Sequence, residues 1–181
     1  MGYSTDFVGE FKLDKPLTNE DRAYLHKFNN SRRMKRNLCE KKYGIEGEWF
    51  VEGKGTMGQE DDDSVINNNA PSKTQPGLWC QWTPNKEGTA IAWDGGEKFY
   101  WAETWILYLI EGFFKPKGYV LNGIVYAQGE DSSDTWDINI KNNIIKGSQT
   151  LPNMPFPITE IKEEVDCKNC DIKISCALKK I

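Results

Sequence analysis

The chain has 181 residues, 38% hydrophobic and 28% charged, with a formal net charge of −4. That balance suits a soluble globular unit with a full core, and it excludes wholesale disorder and any general electrostatic pull toward duplex nucleic acid or an anionic membrane. The most apolar run, Phe99–Phe114, is interrupted by Glu103 and Glu111 and is too short to cross a bilayer, and the opening MGYSTDFVGEF lacks the basic and apolar regions of a secretory leader.

Residues 4–13 read as a first strand, with Phe7, Gly9 and Phe11 alternating with Val8, Glu10 and Lys12. Pro16 and Thr18 announce a helix over Asn19–Phe28, with Thr18 as N-cap and Glu20 and Asp21 in the first turn. A basic stretch follows, then 46–53 (EGEWFVEG) as a short strand. Residues 54–76 hold few large apolar side chains and read as a long loop. The segments 78–84 and 89–94 form a hairpin closed through Gly88. Asp94 and Glu97 have the spacing of a capping box ahead of a helix over Glu97–Phe114, which Pro116 and Gly118 end. Residues 118–130, 135–142 and 143–148 supply two or three strands, the last two joined through Asn142 and Asn143.

This order predicts an α+β fold: an antiparallel sheet with hairpins, packed against one long central helix and a shorter N-terminal helix. The expected division is a single domain over 1–150, followed by a proline-rich linker and a cysteine-bearing tail over 151–181. No internal repeat is present.

Five of the seven tryptophans fall between Trp79 and Trp105. On the central helix Phe99, Ala102, Ile106, Leu109, Ile110 and Phe113 form one apolar stripe, and Trp101, Trp105 and Tyr108 form a second one rotated from it. The second stripe either lies beneath the long loop or presents an aromatic groove to a partner. Together with the hairpin rings Trp79, Trp82 and Trp93, it supplies the candidate recognition surface. The run from Lys27 through Arg32, Arg33 and Arg36 to Lys42 holds seven of the 23 basic residues. Its guanidinium groups suit phosphate, as the rings suit a nucleobase; the alternative is a solvated face.

Other candidates for chemistry are sparse. Glu130, Asp131 and Asp134 form an acidic group at a strand end that could hold Mg²⁺, although a hairpin tip explains much of it. Glu60 to Asp63 lacks the glycine and spacing of a calcium loop. His26 is the only histidine, so histidine-based metal sites and most nucleophile relays have nothing to build on. Cys167, Cys170 and Cys176 have a metal-like spacing for zinc or an iron–sulfur cluster, but both want four ligands; Cys39 or Cys80 would have to complete the set. An odd total of five cysteines fits reduced thiols in a cytoplasm. Phosphate-loop, dinucleotide-binding, metalloprotease and nucleophile-elbow motifs are absent.

The phrases MGYSTDFVGEFKLDKPL, RRMKR, QPGLWCQW, WDGGEKFY and LNGIVYAQGEDSSD together resemble a family of small uncharacterised proteins encoded by bacteriophages and bacteria. The likeness covers most of residues 1–147. It brings no catalytic role to any residue, and implies a cytoplasmic accessory protein of phages or mobile elements; the 151–181 tail departs from it. The expectation is therefore a non-enzymatic binding protein that recognises a nucleotide-like ligand or a host protein, with a counter-defence role in a phage setting. The alternatives are a metal-dependent enzyme acting on nucleotides or nucleic acid through its acidic cluster, and a structural module with buried aromatics.

Overall fold

A computed structural model describes residues 2–54 and 63–146. Its centre is β1 (Thr5–Leu13), which turns Phe7 and Phe11 into the core and leaves Asp6, Val8, Glu10 and Lys12 outside, as period-two alternation requires. Around it lie β4 (Trp82–Pro84), β5 (Ala90–Trp93), β6 (Leu121–Gly129), β7 (Thr135–Lys141) and β8 (Ile144–Lys146). They make one antiparallel sheet in the order β4-β5-β1-β6-β7-β8. The α+β expectation holds.

β1 and β6 pair along their whole length, from Thr5 opposite Gly129 to Leu13 opposite Leu121. Midway, Gly9 (φ +120°) stands opposite Val125 and Gly123 (φ +149°) opposite Phe11. A Cβ on Gly9 would sit 2.6 Å from the Ile124 carbonyl oxygen, and one on Gly123 would sit 2.6 Å from that of Glu10. The backbones approach so closely here that only glycine serves.

Both predicted hairpins form. In the first, the Asn85 Oδ1 accepts from the Thr89 amide at 2.8 Å. In the second, Asn142 and Asn143 both hold positive φ, at 52° and 63°, the signature of a two-residue turn whose twist matches the strands. The side chain of Asn143 is buried, accepting from the Leu121 amide at 2.7 Å and donating to the Tyr119 carbonyl at 2.8 Å.

Helix α1 (Asn19–Asn29) starts as read, its Thr18 hydroxyl accepting from the Asp21 amide at 3.1 Å, and it buries Leu25 and Phe28. The central helix differs. Asp94 and Glu97 do not form a capping box: Asp94 accepts from the Gly96 amide and from the Asn29 side-chain amide. Lys98 and Trp101 both adopt left-handed backbone, at φ 59° and 61°, so no helix can run through them. The α-helix occupies only Ala102–Leu109 and passes into a π-helical turn over Ile110–Phe114.

The expected strand at 46–53 is also corrected. Residues Ile45–Gly47 form a 3₁₀ turn in which Glu46 has φ 54°, and 48–54 runs on without strand pairing. The basic stretch contains a short strand, β2 (Lys35–Arg36), and the helical turn α2 (Glu40–Tyr43). β2 pairs with β3 (Val65–Asn67), a strand inside the segment read as loop. The proposed boundary at 150, the tail cysteines Cys167, Cys170 and Cys176, and Glu60 to Asp62 lie outside the described residues.

Replacing Gly9 by alanine should destabilise the protein by about 2 kcal/mol, because it adds a Cβ clash to an unfavourable φ. Urea unfolding followed by circular dichroism measures this, and an unchanged midpoint would contradict the close strand approach.

Candidate functional site

The rings proposed as a single recognition surface are divided by the structure. Trp82, Trp105 and Tyr108 are fully buried. The Trp82 indole donates to the Ala102 carbonyl at 2.8 Å, and its ring meets Phe7, Phe11 and Phe99 edge-on at 5.3–5.7 Å. Trp105 packs edge-on to Phe28, and Tyr108 lies beneath Trp49, stacked at 4.8 Å and 17°. Trp105 and Tyr108 of the helix's second stripe are therefore covered, which closes the expected groove along them. Trp79 and Trp93 are half-buried: Trp79 lies under Arg32, and the Trp93 indole donates to Gln81. Trp101 alone of the six is open to solvent, at 67% exposure.

The arginines expected to meet phosphate are directed inward. Arg33 is only 4% exposed; its guanidinium donates to the carbonyls of Ser31 (3.1 Å), Glu48 (3.4 Å) and Phe50 (2.7 Å) and lies 4.3 Å over the Phe28 ring. Burial pushes its ionisation down to about 10, so it stays charged at neutral pH. Arg36 is buried over Phe50 and donates to the Ser64 hydroxyl. Arg32 donates to the Asn68 carbonyl and the Asn69 side chain. These three side chains organise their own loops.

The acidic group is likewise occupied. The Asp131 carboxylate accepts from the amide and hydroxyl of Ser133, bonds that hold its ionisation low. Asp134 accepts from the Tyr3 hydroxyl at 2.6 Å, and Glu130 from the Ser4 amide at 2.7 Å. These contacts close a turn and fasten the N-terminal strand to it. Among the described residues no group of three or more His, Cys, Asp or Glu is arranged to hold a metal. His26 shares a hydrogen bond with the Thr83 hydroxyl. Cys80 is buried, and burial pushes its thiol up to about 12, which removes it as a nucleophile.

The arrangement that the sequence did not reveal is a cleft of about 470 Å³ between α1 and the segment 42–52. Its floor is aromatic and aliphatic: Tyr24, Trp49, Val51 and Phe113. Tyr24 and Phe113 stack at 5.5 Å and 6°. The Tyr24 hydroxyl donates to the Trp49 carbonyl at 2.7 Å, and burial raises its ionisation. Trp49 comes this close because Gly112 of the π-helical turn has no side chain; a Cβ there would overlap the indole. The rim carries both signs. Lys27 and Lys42 stand with Glu20 and Glu52 on the outer side, and Lys117 pairs with Asp21 at 2.9 Å.

Asp21 is held by several partners at once. Burial alone would raise its carboxyl, but hydrogen bonds from Lys117, from the Tyr119 hydroxyl (2.7 Å) and from Thr18 outweigh it and bring the ionisation below the ordinary value. The sequence signals for this cleft were present but dispersed. Trp49 lies outside the tryptophan cluster, while Tyr24 and Phe113 read as core.

Compared with protein-family models, curated proteins and solved structures, the chain matches none. Among the described residues no helix is long and apolar enough to cross a membrane.

Substituting Arg33 by methionine should cost about 3 kcal/mol, because the Glu48 and Phe50 carbonyls lose a buried charged donor. Chemical unfolding monitored by the fluorescence of Trp49 and its neighbours checks this, and a cost below 1 kcal/mol would contradict it. A second outcome concerns acid. The Asp21 carboxyl is depressed in the folded state, so its stabilisation is complete above the unfolded value near 4 and is lost as pH falls through the folded value. The stability difference between the native protein and Lys117→Met should therefore be largest at neutral pH and shrink on acidification; a pH-independent difference would refute the pairing.

Proposed function

We propose that this is a non-enzymatic binding protein whose cleft beneath α1 takes a ligand of the nucleotide class. The observation that carries the reading is the combination of an aromatic floor with lysines at the rim. Tyr24 and Trp49 offer π surface to a flat base, with Phe113 packed behind Tyr24, and Lys27 and Lys42 supply cations for a phosphate. The volume lies within the range of small-ligand pockets. The site differs from the surface expected from sequence, but its chemistry is the same: rings for a base, cations for phosphate. The buried thiol of Cys80 and the bonded ring of His26 favour binding over covalent catalysis.

The likeness to phage and bacterial proteins supplies the setting for this proposal, in which an accessory protein sequesters a host nucleotide. A host protein as the partner is the second reading, favoured by one observation. Tyr100 and Trp101 are both exposed, on a turn in which Lys98 and Trp101 adopt left-handed backbone. Exposed aromatic anchors on strained backbone are characteristic of interfaces.

Titration of the full chain with nucleoside mono-, di- and triphosphates, free nucleosides and inorganic phosphate tests the cleft by calorimetry. Nucleotides should bind at micromolar concentration and nucleosides more weakly. Lys27→Ala combined with Lys42→Ala should weaken nucleotide binding roughly tenfold. Ala23→Trp, an exposed α1 position at the cleft, should abolish it by filling the space. A flat response across the panel from folded protein would remove the nucleotide reading.

A further inference from the structure

A second opening lies at the other end of the central helix, against β7. The strand β7 is paired to β6 from Thr135 through Ile140, whereas β8 pairs only with Asn139, Ile140 and Lys141. Among the described residues, Thr135–Ile138 therefore has a strand on one side only.

The direction of the free backbone groups follows from register. The Gly129 amide donates to the Asp134 carbonyl at 2.8 Å, which makes Gly129–Asp134 a hydrogen-bonded pair. Counting by twos along an antiparallel ladder, Trp136, Ile138 and Ile140 also turn their amides and carbonyls toward β6. Thr135, Asp137 and Asn139 turn theirs the other way. The Thr135 amide is taken by the Ser133 carbonyl at 3.1 Å, and Asn139 lies opposite Lys146 of β8. Asp137 is left with its main chain facing the open edge.

Beside that edge is a groove of about 880 Å³, lined by Tyr3, Trp136 and Ile145 together with the acidic residues Glu103 and Asp134 and by Asp137 of the open edge. Lys146 is its one cation. Trp136, 36% exposed, lies 6.3 Å from Phe7, edge-on, and its indole bonds the Glu103 carboxyl. Burial raises the ionisation of Glu103, so an approaching cation would relieve an under-solvated charge.

We propose that the free edge of β7 is a docking site for an extended segment of a partner protein bearing lysine or arginine, added to the sheet as a further strand. Main-chain bonds to Asp137 fix its direction. Its groove-facing basic side chain lays its aliphatic stem along Trp136 and brings its charge to Glu103 and Asp134. Charge selects this occupant. A second copy would bring an equally acidic β7 edge, and the residues that directly follow Lys146 in this chain (Gly147, Ser148, Gln149 and Thr150) contain no cation; the lysines beyond residue 150, were they the occupant, would keep an added lysine peptide from binding the full-length protein.

Amide and indole NMR of the full-length protein, titrated with three capped seven-residue peptides, tests this independently of the nucleotide cleft. One peptide alternates valine with lysine, one replaces its lysines by glutamate, and one keeps the lysines but has proline at the central valine. The lysine peptide should shift the amide of Asp137 and the indole of Trp136, and the other two should leave both unmoved. Glu103→Gln, which retains a partner for the Trp136 indole, should weaken the lysine peptide roughly tenfold. The proposal is overturned if the three peptides bind alike, if the lysine peptide does not bind or shifts only residues of the Trp49 cleft, or if Glu103→Gln binds as tightly as the native protein.

Discussion

One buried cation decides how the rest of this chain is arranged. The guanidinium of Arg33 has no exposed face, and a buried charge must have its hydrogen bonds met locally. It finds them in the carbonyls of Glu48 and Phe50, which belong to a segment without strand pairing of its own. Those bonds hold the segment across the central helix. Trp49 then stacks on Tyr108, and the Glu48 carboxylate accepts from the Tyr108 hydroxyl and the Thr74 hydroxyl. The cover over the helix and the back wall of the cleft are consequences of the same interaction.

The cover explains the aromatic richness. A helix that is apolar on two faces needs a second layer, and here that layer is made from irregular chain. Irregular chain has few repeating backbone bonds, so large rings and buried polar groups hold it in place instead. Gln75 donates to the Glu48 carbonyl, and Ser72 to that of Ile45, in the same layer. Of the rings that the sequence offered as a recognition surface, Tyr108 meets Trp49 of this layer, Trp82 and Trp93 pack against Phe7 on the sheet, and Trp101 stays exposed.

What could be read from sequence was what local chemistry determines. The Thr18 cap, the alternation around Phe7 and Phe11, and the Asn142–Asn143 turn each depend on neighbours a few residues apart, and each was found where expected. The start of the central helix differs because Asp94 and Glu97 match a cap by spacing, while Lys98 and Trp101 adopt a positive φ that no local sequence pattern announces. The 46–53 segment alternates like a strand, but its partners are the Arg33 guanidinium and the Tyr108 ring instead of another strand. Arg33 and Arg36 illustrate the same limit. A basic run looks solvated until distant carbonyls and rings are brought to it. The cleft was hidden for that reason: Tyr24, Trp49 and Phe113 are far apart in the chain, and each alone reads as core.

The two openings follow from dimensions. Six strands at about 4.8 Å spacing span roughly 24 Å, whereas one helix covers about 10 Å. α1 takes the β4 side, where His26 meets Thr83, and the central helix takes the middle. Nothing helical among the described residues remains for the β7 side. Beyond the buried Ile138 and Ile140, the groove on that side is bordered by Trp136 and Ile145, and its acidic residues keep an exposed edge from pairing with copies of itself. At the opposite end of the helix, the π-helical turn carries Phe113 toward Tyr24, and Gly112 admits Trp49 beside it. A single short helix under a wide sheet thus leaves one end to be closed by rings, which makes a cleft, and the other to be guarded by charge, which makes a groove.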